Sequence, residues 1–227
     1  MHDETGGAPP TPPAAAPGRP LRLGVLASGS GTNLQVLLDT FTADAADGDL
    51  ARVVAVGGDR PGATALERAD RSGVPWRAFP RDDHPTRDAR DAAIAAWLHE
   101  HDVDLVVLAG YMAILTPTFL RAFPDRVVNV HPSLLPAFPG IRAVEQAVAY
   151  GVRTFGVTVH LVDDGVDTGP VLLQDAVVLD DTPDADAALA AIRPLEHRLL
   201  PEAVRIIARG GARRDPDAPR RVLLDRG

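Results

Sequence analysis

An amide and an imidazole two residues apart, Asn129 and His131, open the stretch Asn129-Val130-His131-Pro132-Ser133-Leu134-Leu135-Pro136. They follow the apolar pair Val127-Val128, which reads as part of a buried strand. Pro132 stops that strand, because proline has no N–H for the ladder. On an extended chain, residues two apart project to one face. Amide and ring therefore stand together at the carboxyl edge of a sheet, where open α/β folds bind their ligands. An amide N–H can stabilise a developing oxyanion, and an imidazole can move a proton. The same pair also suits a capped strand end with a hydrogen-bonded histidine, since buried polar groups are ordinarily satisfied.

Three further stretches carry chemistry-bearing residues. Ser28-Gly29-Ser30-Gly31-Thr32-Asn33 lies between an apolar strand over residues 21–26 and a helix beginning at Thr32, where Leu34, Val36, Leu37, Leu38 and Phe41 suit packing on a sheet. A strand, a Gly/Ser turn and a helix start present free N–H groups and a positive dipole end, which suits one phosphate monoester. Glycines so spaced also serve tight turns. There is no Gly-x-x-x-x-Gly-Lys and no third glycine at the dinucleotide spacing. Ala109-Gly110-Tyr111-Met112-Ala113-Ile114-Leu115 is an apolar loop after a fully apolar strand over residues 105–108. Such a loop either lines a pocket for a flat ligand or packs into the core. Asp163, Asp164 and Asp167 share a turn-rich loop without the twelve-residue calcium spacing. Nothing in the residues alone separates the three, and His160 reads as a hydrogen-bonded strand residue.

Asn-x-His-Pro-Ser-Leu-Leu-Pro closely resembles the signature of the formyltransferase family that uses 10-formyltetrahydrofolate. The resemblance runs from about residue 21 to 209 and is strongest to the branch that formylates glycinamide ribonucleotide. It implies that Asn129, His131 and Asp167 are catalytic. It implies that Gly31, Thr32 and Asn33, with Arg87, Arg193 and Glu196, bind the ribonucleotide phosphate and ribose. Tyr111, Met112, Ala113, Ile114, Leu115 and Asp163 would bind the folate, which is a co-substrate, with no metal. The chain departs from the family at Ala113, usually arginine, and at Gly58-Asp59-Arg60, usually Ser-Asn-Lys or Ser-Asn-Arg. The implied reaction is direct attack of the ribonucleotide amine on the formyl carbon, a step of purine biosynthesis. The alternatives are another formyltransferase of this fold, a 10-formyltetrahydrofolate hydrolase, or a non-catalytic module binding a phosphorylated metabolite.

The elements that must position these residues alternate between strand and helix through the first half. That pattern predicts a doubly wound α/β fold with a mostly parallel, Rossmann-like sheet and an antiparallel extension in the C-terminal half. The phosphate loop and the apolar loop should flank a cleft, with Asn129 and His131 between them. The expected divisions are a disordered Pro-rich tail over 1–20, a phosphate-binding half over 21–123, a catalytic and folate-binding half over 124–209, and a flexible tail over 210–227. Thr182-Pro183 reads as a helix opening, and Pro194 should divide or kink the helical region that follows. The 227 residues, 45% hydrophobic, suffice for a substantial core. A net charge of -8 argues against a general nucleic-acid binder. The chain has no cysteine and no apolar run approaching the roughly 20 residues of a membrane span. Together with a start that lacks a signal pattern, these features predict a cytoplasmic monomer or homodimer acting on small molecules.

Overall fold

A single nine-stranded sheet runs through the chain in the order β3-β2-β1-β4-β5-β6-β7-β9-β8 in a computed structural model that describes residues 11–179 and 183–225. In chain order the elements are β1 (Leu21–Ala27), α1 (Thr32–Thr40), β2 (Ala51–Gly58), α2 (Thr64–Arg71), β3 (Trp76–Ala78) and α3 (Arg87–Glu100). β4 (Leu105–Leu108), α4 (Pro117–Ala122), β5 (Val127–His131), α5 (Ala143–Tyr150) and β6 (Thr154–Leu161) follow. β7 (Val171–Val178), α6 (Ala185–Ala208), β8 (Ala212–Asp215) and β9 (Ala218–Leu224) complete the chain. β1 to β5 pair in parallel, whereas β6 runs antiparallel to both β5 and β7. The doubly wound α/β architecture and its antiparallel extension are therefore as the sequence predicts.

Alternation along the central strands divides the core between the two faces. Leu21, Leu23 and Val25 of β1 and Leu105 and Val107 of β4 share one cluster with α1, α2, α5 and α6. Leu26, Val106 and Leu108 point the other way, to Ile94, Trp97 and Leu98 of α3 and Phe119 beside them in α4. The strand order reverses between β1 and β4, which makes their carboxyl ends the switch point of the sheet. β4 lies between β1 and β5. The apolar loop after β4 therefore separates the Gly/Ser turn from Asn129 and His131 in strand order, which corrects the expectation that those two residues stand between the loops.

Both termini differ from their expected looseness over the described residues. Pro12 is buried, the Ala15 N–H donates to Ala208 O at 2.9 Å, and Arg19 pairs with Asp104 at 2.9 Å. The expected disorder of residues 1–10 lies outside the described residues. At the other end, β8 and β9 form an antiparallel hairpin, and β9 adds to the edge of β7 at Val171↔Arg221. Ala212 is buried, Arg214 reaches Asp125 at 3.5 Å, and Arg220 Nη2 donates to Thr168 O at 2.5 Å. The arginines that suggested a solvated tail instead tie the hairpin to neighbouring loops. Nor does Pro194 divide the last helix, since α6 continues through both Pro194 and Pro201. Buried Ala188 and Ile192 before Pro194, and Leu199, Leu200 and Val204 after it, hold both segments on the sheet. That packing outweighs the roughly 3 kcal/mol that an interior proline costs a helix. The expected opening at Thr182 falls outside the described residues; Asp184 caps the helix, accepting from the Ala187 N–H at 2.8 Å.

Truncation after Gly210 removes the hairpin, uncovers the β7 edge and removes buried Ala212. The melting temperature should fall by several degrees, given about 2–4 °C per kcal/mol for a domain of this size. An unchanged thermal transition would show that the hairpin contributes nothing to the fold.

Candidate active site

Asn129 and His131 occupy one face of β5, and the register of β6 sets their neighbours. Asn129 lies opposite His160 and His131 opposite Thr158. The loop after β6 then returns Asp167 to the same place. Its Oδ2 lies 3.3 Å from His131 Nδ1, and its Oδ1 lies 3.4 Å from Asn129 Nδ2 and 3.5 Å from His160 Nε2. The Gly140 N–H donates to Oδ2 at 2.7 Å. Asp167 takes a left-handed backbone, φ 52°, which aspartate tolerates better than most residues. Burial alone would raise its pKa, but hydrogen bonds from His160 and the Gly140 N–H, with both imidazoles nearby, hold the carboxyl below its ordinary value.

Carbonyl groups orient both rings. His131 Nε2 lies 2.9 Å from Phe138 O, and His160 Nδ1 lies 2.8 Å from Leu161 O. A carbonyl only accepts, so each of these nitrogens carries its proton. His160 Nε2 lies between Asn129 Nδ2, at 3.2 Å, and Asp167 Oδ1, and the Asp167 oxygen accepts from Asn129 Nδ2 at 3.4 Å. That chain fixes the Asn129 amide with its NH2 group toward the cluster. The loop leaving β5 is held by Thr158, whose Oγ1 accepts from the Leu135 N–H at 3.0 Å and donates to Ser133 O at 2.7 Å. Gln174 Nε2 donates to Leu135 O at 2.9 Å, and the Leu135-Pro136 bond is cis. His160, Thr158 and Gln174 were not singled out from sequence as site residues. Their signal was polar character at alternating positions of otherwise apolar strands.

The Gly/Ser turn and the apolar loop meet at the switch point. The Ser28 N–H donates to Gly110 O at 3.1 Å, and Ser28 Oγ accepts from the Met112 N–H at 2.8 Å. α1 starts at Thr32 with no side-chain cap, so its first N–H groups are available to an anion. Gly31 has φ 70°, and a Cβ there would lie 2.7 Å from Ala65 Cα. Glycine is thus needed both for the turn and for the approach of α2. Asn33 Nδ2 donates to Glu196 Oε2 at 3.4 Å, while the buried Asn33 Oδ1 has no partner among the described residues. Burial pushes the Glu196 carboxyl above its ordinary value despite Asn33 and Arg193 nearby. Arg193 and Arg87 are exposed, and no hydrogen bond among the described residues brings either to the α1 turn.

In the apolar loop Met112 and Ile114 are exposed while Leu115 is buried. Tyr111 is largely buried, its hydroxyl has no partner among the described residues, and burial pushes its phenol well above the ordinary value. Ala113 adds no polar group. Asp163 serves its own turn, accepting from the Gly165 N–H at 3.1 Å and Thr168 Oγ1 at 2.6 Å. Among the described residues, no group of three or more His, Asp or Glu is placed to hold a metal ion. No helix among them is long and apolar enough to cross a membrane.

A family model described as formyl transferase matches residues 21–204, which include every residue of this cluster. The chain belongs to the formyl transferase family. Phosphoribosylglycinamide formyltransferase of Mycobacterium tuberculosis is 50% identical over 196 residues, covering 86% of this chain and 88% of that protein. The enzyme of that name from Bacillus subtilis is 38% identical over 184 residues, covering 81% and 93%. Among solved structures, glycinamide ribonucleotide transformylase 1 from Symbiobacterium toebii superposes with a TM-score of 0.85 at 45% identity, covering 90% of this chain and 94% of that one. The protein is accordingly a transferase, and the terminal hairpin β8–β9 lies beyond the span of the family model.

Two outcomes follow from this geometry. A depressed folded pKa means that the Asp167 carboxylate contributes stability above the ordinary value of 3.8, lost as pH falls through the folded value. The stability gap between wild type and Asp167→Asn should therefore be widest near neutral pH and close in acid, as read by denaturant melts from pH 7 down to 3. A gap that is constant across this range would remove the charge from the argument. Gly31→Val, in turn, should destabilise the free protein by more than 1 kcal/mol through strain and the Ala65 clash (typical core and backbone lesions reach about 1–3 kcal/mol). A normal melt with weakened ligand binding would show that the turn yields without disturbing α2.

Proposed function

We propose that this formyltransferase moves the formyl group of 10-formyltetrahydrofolate to the amine of glycinamide ribonucleotide, in purine biosynthesis. The observation that carries the reading is the convergence of Asn129, His131 and Asp167 at β5, next to the loops of the switch point. The names of the relatives point to the same substrate. The phosphate would sit on the uncapped start of α1 at Gly31, Thr32 and Asn33, with Arg87 and Arg193 as exposed cations able to swing toward it. Glu196 and the unpartnered Asn33 Oδ1 suit ribose hydroxyls. The flat donor suits the apolar loop over Tyr111, Met112, Ala113, Ile114 and Leu115, whose two exposed apolar side chains would be covered by it. Asp163 supports this pocket through the turn that it holds.

The amine is itself the nucleophile, so no protein nucleophile is required. The new C–N bond forms at the formyl carbon, and the bond from that carbon to the donor nitrogen breaks. Asn129, with its amide orientation set by Asp167, donates its second N–H to the developing oxyanion, and His131 stabilises the same charge. Asp167 orients His131 and takes part in moving the amine proton toward the departing nitrogen. Holding both substrates in one cleft supplies proximity.

Formyl loss from the donor should require glycinamide ribonucleotide and yield the formylated amide, followed by absorbance and mass spectrometry. Asp167→Asn should lower kcat by on the order of 10²-fold with little change in Michaelis constants, the scale of lost acid–base help. Formate release without the ribonucleotide would indicate a hydrolase instead, and binding without turnover a non-catalytic module.

A further inference from the structure

α3 carries an ion pair that points inward, at the apolar loop. The Arg90 and Asp91 side chains are only 3% and 0% exposed. Arg90 Nη2 and Nε donate to Asp91 Oδ1 at 2.7 and 3.0 Å. The second carboxylate oxygen, Oδ2, accepts from the Thr116 N–H at 2.6 Å, and Arg90 Nη2 also reaches Ile114 O at 3.4 Å. Taking two charges out of water is unfavourable, and apolar residues of similar volume often stabilise a core as well or better. This pair therefore requires a reason beyond packing. What its two members share is the main chain on either side of Leu115. The other part of the loop is tied at Met112 to Ser28 Oγ. Between these ties Met112 and Ile114 expose their side chains and so contribute little packing that could hold the loop's shape.

We infer that Arg90 and Asp91 are positioning residues for the donor pocket, fixing the backbone of residues 114–116 so that the apolar loop keeps the shape that receives a flat one-carbon donor. Neither residue touches a ligand; both act through the loop's main chain. The inference rests on the assignment of that loop to 10-formyltetrahydrofolate made above.

Two variants test it. Asp91→Asn keeps the size of the side chain and removes its charge. Thr116→Pro removes the N–H that Asp91 receives while leaving the ion pair intact, at a backbone φ of −86° close to what proline adopts. In both, the Michaelis constant for 10-formyltetrahydrofolate should rise about tenfold (about 1.4 kcal/mol) while that for glycinamide ribonucleotide stays within about twofold. Amide hydrogen exchange should accelerate over residues 110–115 and not in the β5–β6 cluster. A general loss of structure would instead lower the melting temperature and the active fraction without separating the two constants. If Asp91→Asn fails to fold, Thr116→Pro carries the comparison alone. A folded variant with the wild-type folate constant and wild-type exchange in the loop overturns the inference. If the wild-type enzyme itself does not turn over this substrate pair, the functional reading fails, and loop exchange in the variants still decides whether the pair positions the loop.

Discussion

Asn129 faces His160 and His131 faces Thr158 because β5 and β6 pair antiparallel in one register, and every other contact of the polar cluster depends on that alignment. Side chains alternate across a sheet, so a slip of one residue would turn His160 and Thr158 to the opposite face. Asn129 would lose the imidazole that stands opposite it. The loop after His131 would lose the Thr158 hydroxyl that holds Ser133 and Leu135. Large apolar burial on both faces of the central sheet opposes such a slip, with Val128, Val130, Val157 and Val159 all inside. The hydrophobic pattern of these two strands thus sets a polar geometry to which it contributes no atoms.

Within that frame the carboxylate of Asp167 is the shared acceptor. It is partly desolvated yet meets a backbone N–H, an amide and two imidazoles, which is why its charged form is favoured despite burial. The carbonyl groups of Phe138 and Leu161 take one nitrogen of each ring, leaving the other nitrogen to the cluster. The two histidines therefore differ in their use. His131 meets the Asp167 carboxylate alone, at 3.3 Å, whereas His160 on β6 meets both Asn129 and Asp167.

Periodicity and turn residues are enough to place β1 to β7, because their apolar runs are short and end at or near Gly, Pro or Asp. Asn129 and His131 were readable as a pair for the same reason, since spacing by two is a local property of a strand. Asp167 was not separable from Asp163 and Asp164 by composition. The difference lies in backbone conformation and in a partner strand, with Asp163 closing its own turn and Asp167 reaching across to His131. His160 is the hydrogen-bonded strand residue that the sequence suggests, but alternation tells which face its ring takes and not that Asn129 stands opposite it. The terminal hairpin was read as a tail because Arg213, Arg214, Arg220 and Arg221 look like a solvated run. Their value to the fold comes from Asp215 within the hairpin and from Asp125 and the Thr168 carbonyl outside it.

Ala113 shows how side-chain identity and loop shape can separate. The loop is tied through the Ala109, Met112 and Thr116 N–H groups and the Gly110 and Ile114 carbonyls, none of them a loop side chain. A residue exchanged at position 113 leaves all of these in place. The partners lie in the surrounding framework instead: Ser28 at the end of β1 and the Arg90–Asp91 pair in α3. A loop built this way exposes a main-chain contour and apolar tips, and its shape depends on how rigidly the framework holds that contour. The buried charges are suited to this task because hydrogen bonds to charged groups are shorter and more directional than apolar packing. Their cost in desolvation falls on the core beneath the loop, and the loop's exposed side chains, Met112 and Ile114, remain apolar.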